Sequence, residues 1–112
     1  HMDVATLARI WDRDRPRIIA PLGNDAILRG HYPAMQVTAA DWREQVALGT
    51  GATVTLEPVH HWSRRSLGDR NHALWAGFVV KGVGGSVFVA GDTGFDEGRP
   101  FRNVAARHGA VD

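Results

Sequence analysis

Residues 86–94 read Ser86-Val87-Phe88-Val89-Ala90-Gly91-Asp92-Thr93-Gly94, an apolar run that gives way to an aspartate flanked by glycines. A strand that ends this way carries its polar residue to the rim of a sheet, where sites are built on rigid scaffolds. The glycines let the backbone turn sharply and let an ion approach closely, so a carboxylate at Asp92 could bridge two cations. The same residue also reads as a turn aspartate bonded to its own backbone, and the local sequence leaves both readings open.

Outward from this stretch, Leu74 to Lys81 is a second run that is apolar on both alternating faces, and Gly82 to Gly85 supplies a hairpin turn between the two. Both strands are expected to be covered on each side and to form the best of the core. Earlier still, Thr53 to Val59 runs into His60-His61-Trp62-Ser63-Arg64-Arg65, a second place where metal-ligating side chains close a strand. Adjacent strand residues point to opposite faces, so only one histidine can face a given site. His61 is the candidate, and His60 is assigned to support. The competing reading of His61 is a half-buried histidine hydrogen-bonded at a sheet end. His31, His72 and His108 belong to no motif and are expected to be structural or solvated.

Val4, Leu7, Ala8 and Trp11 recur at helical spacing after Asp3, a suitable N-cap, and Pro16 limits the helix. Arg17 to Ala20 predicts a strand opening into a Pro21-Leu22-Gly23-Asn24 turn, followed by a short helix over about Asp25 to Arg29. Segments at Gln36-Val37-Thr38, Glu44 to Ala47 and Thr53 to Val59, with Gly49-Thr50-Gly51 before the last, predict a small antiparallel meander. Phe101, Val104, Ala105 and His108 predict a final helix capped by Gly109 and packed on the sheet.

The totals exclude several function classes. Thirteen basic and twelve acidic residues leave a net charge of +1, so the chain has no field to hold a nucleic acid. Without cysteine, any metal must be held by His, Asp or Glu, and the composition fits a cytoplasmic protein. No apolar run approaches the roughly 20 residues that span a bilayer. Neither a Gly-Xaa-Ser-Xaa-Gly elbow nor a phosphate loop nor a cysteine nucleophile is present, which leaves covalent catalysis unsupported. The 112 residues suffice for one core and show no internal repeat.

At these motifs the chain resembles the metallo-β-lactamase superfamily, in the branch of N-acylphosphatidylethanolamine-specific phospholipase D and its bacterial relatives. The resemblance runs through Ala20-Pro21-Leu22-Gly23-Asn24, Asp41-Trp42, His61-Trp62-Ser63-Arg64-Arg65, Asp69-Arg70-Asn71, Leu74-Trp75-Ala76-Gly77 and Ala90-Gly91-Asp92-Thr93-Gly94, with His61 and Asp92 standing 31 positions apart. It implies an α+β chain with a partial metallo-β-lactamase fold, an αβ/βα sandwich incomplete at both ends, residues 1–112 being the central part of one domain. It further implies two zinc ions per complete domain, with His61 on the first, Asp92 bridging both and His1 on the second. His1-Met2 also reads as a cloning remnant.

The reaction the resemblance implies is attack of water on the phosphorus of a phosphodiester, with Arg64, Arg65 or Arg70 holding the substrate anion through guanidinium forks. A solvated loop explains those arginines equally well. Trp62 and Trp75 could line the site, although core packing is the commoner use of such side chains. The expected partner is a small-molecule or phospholipid substrate, with peripheral membrane contact and no nucleic acid. Three ligands spread over two metals close neither shell, so the segment alone is expected to bind zinc weakly and to hydrolyse little. Two rival readings are a hydrolase of a sugar-phosphate lactone or other small anionic ester, and a metal-free interaction module on the same scaffold.

Overall fold

The computed structural model describes residues 2–49, 51–62 and 72–112. Helix α1 (Val4–Asp14) starts where the Asp3 carboxylate accepts the amide hydrogens of Ala5 and Thr6, and ends at Arg15 in the left-handed region. Strand β1 (Ile18–Pro21), helix α2 (Asn24–His31) and strand β2 (Val37–Ala40) follow. Strands β3 (Gln45–Ala47), β4 (Thr53–Glu57), β5 (Gly77–Gly82) and β6 (Gly85–Val89) come next, then a single 3-10 turn (Asp96–Gly98) and helix α3 (Arg99–His108).

These elements form two sheets. β1 and β2 pair in parallel, with Ile18 opposite Val37, and β3-β4-β5-β6 form an antiparallel sheet in chain order. The segment around Val37 therefore does not join the meander predicted from sequence. The α2 crossover returns the chain beside β1 in the same direction, as a strand–helix–strand unit requires. The strand predicted from Leu74 starts at Gly77, and β5 and β6 pair through Gly82 and Gly85, leaving Val83 and Gly84 as the turn.

Period-two alternation sorts the apolar residues into layers. Ile18, Ala20 and Val37 face the helices and pack with Trp11, Leu28 and Met35. Ile19 and Ala40 face the other way, onto Val54, Leu56, Phe78 and Val80 of the larger sheet. The opposite face of that sheet carries Glu57, which meets α3 through Arg107 and His108. The order is helices, two-stranded sheet, four-stranded sheet, helix, which is the mixed α and β arrangement expected of a partial αβ/βα sandwich.

One expectation is corrected. β6 is not covered on both faces: Val87 and Val89 are 49% and 52% exposed. The facing sheet has two strands, and its apolar contacts reach β5 but not β6. Residue 112 lies along the outer edge of β6, where Asp112 accepts from the Phe88 amide and donates to the Ser86 carbonyl, both at 2.9 Å. Among the described residues, no helix is long and apolar enough to cross a membrane.

Candidate metal centre

β4 and β6 are separated by β5, so no ladder hydrogen bond fixes the chain leaving one against the chain leaving the other. The two exits meet beyond the strand ends instead. The His60 amide donates to Thr93 Oγ1 at 3.0 Å, and the Gly94 amide donates to the His60 carbonyl at 2.7 Å. Thr93 Oγ1 in turn donates to the Gly94 carbonyl. A Cβ built on Gly94 would stand 3.1 Å from the His60 ring and 3.3 Å from its carbonyl oxygen, so the close approach favours glycine here.

This knot brings the two candidate ligands together. His61 Nε2 lies 3.9 Å from Asp92 Oδ2, with the imidazole largely buried and the carboxylate half exposed. Two donors bound to one tetrahedral cation at about 2.0–2.2 Å stand roughly 3.3–3.6 Å apart, so a shift of a few tenths of an ångström suffices for both to share a zinc ion. One nitrogen and one oxygen donor suit zinc chemically. Among the described residues no group of three His, Cys, Asp or Glu side chains is clustered for a metal ion. His1, Arg64, Arg65 and Arg70 lie outside the described residues.

His60 points elsewhere: its Nδ1 lies 3.3 Å from Asp96 Oδ2, and Asp96 also pairs with Arg99 at 3.2 Å. The two histidines point to different partners, although β4 ends at Glu57 and neither is a strand residue. Trp62 is 40% exposed and tilts against the His61 ring at 5.8 Å, so it is not a core residue. The Trp75 indole donates to the Val59 carbonyl at 3.1 Å, two residues before His61. Trp42 donates to the Trp75 carbonyl at 2.6 Å and meets its ring edge to face at 5.5 Å.

The Pro21-Leu22-Gly23-Asn24 turn completes the floor. Asn24 Nδ2 donates to the carbonyls of Pro21 and Leu74, and the Leu74 amide donates to the Leu22 carbonyl at 2.7 Å. Gly23 has φ +84°, and a Cβ there would sit 2.9 Å from the His72 carbonyl oxygen, so only glycine fits without strain. Between this floor and the strand exits lies a cavity of about 930 Å³. Ile18, Ile19, Ile27, Leu74 and Phe78 give it apolar walls, and His61 and Asp92 stand among its polar residues.

Sequence reasoning missed Glu57, whose side chain is fully buried. Arg107 Nε donates to its Oε1 at 3.2 Å, Arg107 Nη2 pairs with Oε2, and His108 Nε2 lies 2.7 Å from Oε1. Burial alone pushes this carboxyl up, but the hydrogen bonds from Arg107 and His108 outweigh it and leave the group below the usual glutamate value. The available signal was faint: Glu57 ends a strand whose Thr55 and Thr53 share its face, and its partners come 50 residues later.

Known proteins supply an independent comparison. Residues 1–112 match the beta-lactamase superfamily domain. An uncharacterised protein of Mycobacterium tuberculosis is 31% identical over 113 residues, covering 100% of this chain and 29% of the relative. The N-acyl-phosphatidylethanolamine-hydrolyzing phospholipase D 1 of Caenorhabditis elegans is 31% identical over 121 residues, covering 100% of this chain and 33% of the relative. A mitochondrial N-acyl-phosphatidylethanolamine-hydrolyzing phospholipase D of Saccharomyces cerevisiae is 30% identical over 99 residues, covering 85% of this chain and 21% of the relative. The chain thus spans about a third or less of the length of each of these relatives. The match along the whole chain, on the layered fold described above, shows that the chain belongs to the beta-lactamase superfamily domain family, with N-acyl-phosphatidylethanolamine-hydrolysing phospholipases D among its relatives.

Proposed function

We propose that this chain carries part of the metal centre of a hydrolase that cleaves a phosphodiester, with a phospholipid of the N-acylphosphatidylethanolamine type as its substrate. The observation that carries this reading is the approach of His61 Nε2 to within 3.9 Å of Asp92 Oδ2 beside an apolar cavity. His61 and Asp92 serve as two donors of a dizinc centre, and His1 as a third. The metal ions, when bound, polarise a phosphoryl oxygen and offset charge in the transition state.

The chain's own residues then have separate tasks. His61, largely buried and followed by Trp62, holds its imidazole in a fixed direction. Asp92, half exposed at the strand exit, would supply carboxylate oxygens to the metal centre. Arg64, Arg65 and Arg70 hold the substrate phosphate. Water attacks phosphorus, a new P–O bond forms as the P–O bond to the headgroup breaks, and the headgroup oxygen leaves as the alcohol with a proton given up by the attacking water.

The apolar walls of the cavity favour a substrate with a hydrocarbon portion over a sugar-phosphate lactone, because a small anionic ester gains nothing from burial against Ile18, Ile27 and Phe78. Two relatives, of Caenorhabditis elegans and Saccharomyces cerevisiae, are named as N-acyl-phosphatidylethanolamine-hydrolysing phospholipases D, which supports this substrate class.

Zinc titration by calorimetry tests the donor assignment. His61→Ala and Asp92→Ala are each expected to weaken zinc binding by more than about 100-fold, beyond the roughly 10–100-fold usual for a supporting residue. Unchanged zinc binding in both variants contradicts the assignment. A panel of phosphodiesters and lactones then tests the substrate class, and turnover of lactones alone contradicts the phosphodiester reading.

A further inference from the structure

The buried carboxylate of Glu57 is not explained by stability. Replacing a buried ion cluster by apolar residues of similar volume is often neutral or stabilising, because desolvation offsets the attraction. A planar guanidinium fork supplies something an apolar contact does not, which is a fixed geometry. Glu57 is the last residue of β4, four positions before His61, and its partners Arg107 and His108 are the last two residues of α3. The segment that begins at Asp92 and ends at His108 is therefore tied to the β4 exit twice: at its near end through Thr93, Gly94 and Asp96 to His60, and at its far end through Arg107 and His108 to Glu57.

From this arrangement we infer that Glu57, Arg107 and His108 form a positioning clamp that sets the register of α3 on the sheet and thereby the approach of Asp92 to His61. Without the far tie, α3 keeps only its apolar contacts, Phe101 against Phe88 of β6 and the buried Val104, which fix register less closely, and the loop that carries Asp92 follows any shift of the helix. The inference rests on the proposed metal role of His61 and Asp92 and adds residues that touch neither metal nor substrate.

The test uses the full chain, with zinc and cobalt(II) as probes. The apolar variant Glu57→Leu/Arg107→Met/His108→Leu is expected to keep or raise the melting temperature while losing about tenfold or more in zinc affinity, the range typical of supporting residues. Its cobalt d–d absorption is expected to change in position and intensity, and residual dipolar couplings of α3 amides, measured without metal, to report a rotated helix. Glu57→Gln, whose amide oxygen still accepts from Arg107, is expected to restore most of the affinity. A folded apolar variant with native zinc affinity, native cobalt spectrum and an unmoved helix overturns the clamp. If that variant does not fold, Arg107→Lys decides: it keeps the charge and removes the fork, so reduced zinc affinity with a native melting temperature supports the clamp and native affinity overturns it. Failure of the underlying reading looks different, because His61→Ala and Asp92→Ala would then leave zinc binding unchanged, whereas failure of the clamp alone leaves those two variants impaired.

Discussion

The two faces of this sandwich differ in that only one adds a buried ion cluster to its apolar contacts. On one side, α1 and α2 meet the parallel strands through a dry apolar layer of Trp11, Ala20, Leu28, Met35 and Val37. On the other, α3 meets the antiparallel sheet through apolar contacts, with Phe101 against Phe88 and with Val79 and Val104 buried, and also through the buried Glu57 and its partners Arg107 and His108. Apolar burial is non-directional and roughly proportional to area, so the first layer stabilises without specifying register closely. A buried, bidentate ion cluster adds little net stability but fixes where one element lies on another. The specified side is the one that carries Asp92.

Two experiments sharpen this contrast. The largest loss is expected in the apolar layer: Leu28→Ala, at a fully buried position, should cost about 4 kcal/mol in chemical denaturation, through lost transfer energy and an unfilled cavity. A loss below about 1 kcal/mol, the range of surface substitutions or smaller core changes, would show that this layer is loosely packed. A smaller, pH-dependent loss is expected on the ionic side. The folded-state carboxyl of Glu57 lies below its usual value of 4.5, so its contribution is complete above that value and disappears as pH falls through the folded-state titration. Urea midpoints measured from pH 7 down to pH 3 should fall at the acid end, and Glu57→Gln should flatten that part of the slope. An equal acid slope in the variant would mean that other carboxylates carry it.

Much of this fold was legible because its signals are local. The Asp3 cap, the period of Val4, Leu7, Ala8 and Trp11, and the Gly109 stop each act within one or two turns, and the helices begin and end near them. Among the described residues, several of the motifs that carried the family resemblance are joined by hydrogen bonds, directly or through the neighbouring Val59 and His60. Asn24 bonds to Leu74, Trp42 to Trp75, Trp75 to Val59, and His60 to Thr93 and Gly94. What local sequence missed depends on partners far away in the chain. The parallel pairing of β2 with β1 is set by the α2 crossover, the open face of β6 by the narrowness of the opposite sheet, and the burial of Glu57 by two side chains 50 residues on. Strand alternation suggested that His61 and His60 point apart, yet β4 ends at Glu57, and their partners Asp92 and Asp96 meet them only in the folded chain.

The most direct test is anomalous diffraction at the zinc edge from crystals of the chain grown with zinc. A peak is expected about 2.0–2.2 Å from both His61 Nε2 and a carboxylate oxygen of Asp92. Zinc bound only at His60, Asp96 or another surface carboxylate, with the 61–92 pair left without density, would contradict that expectation.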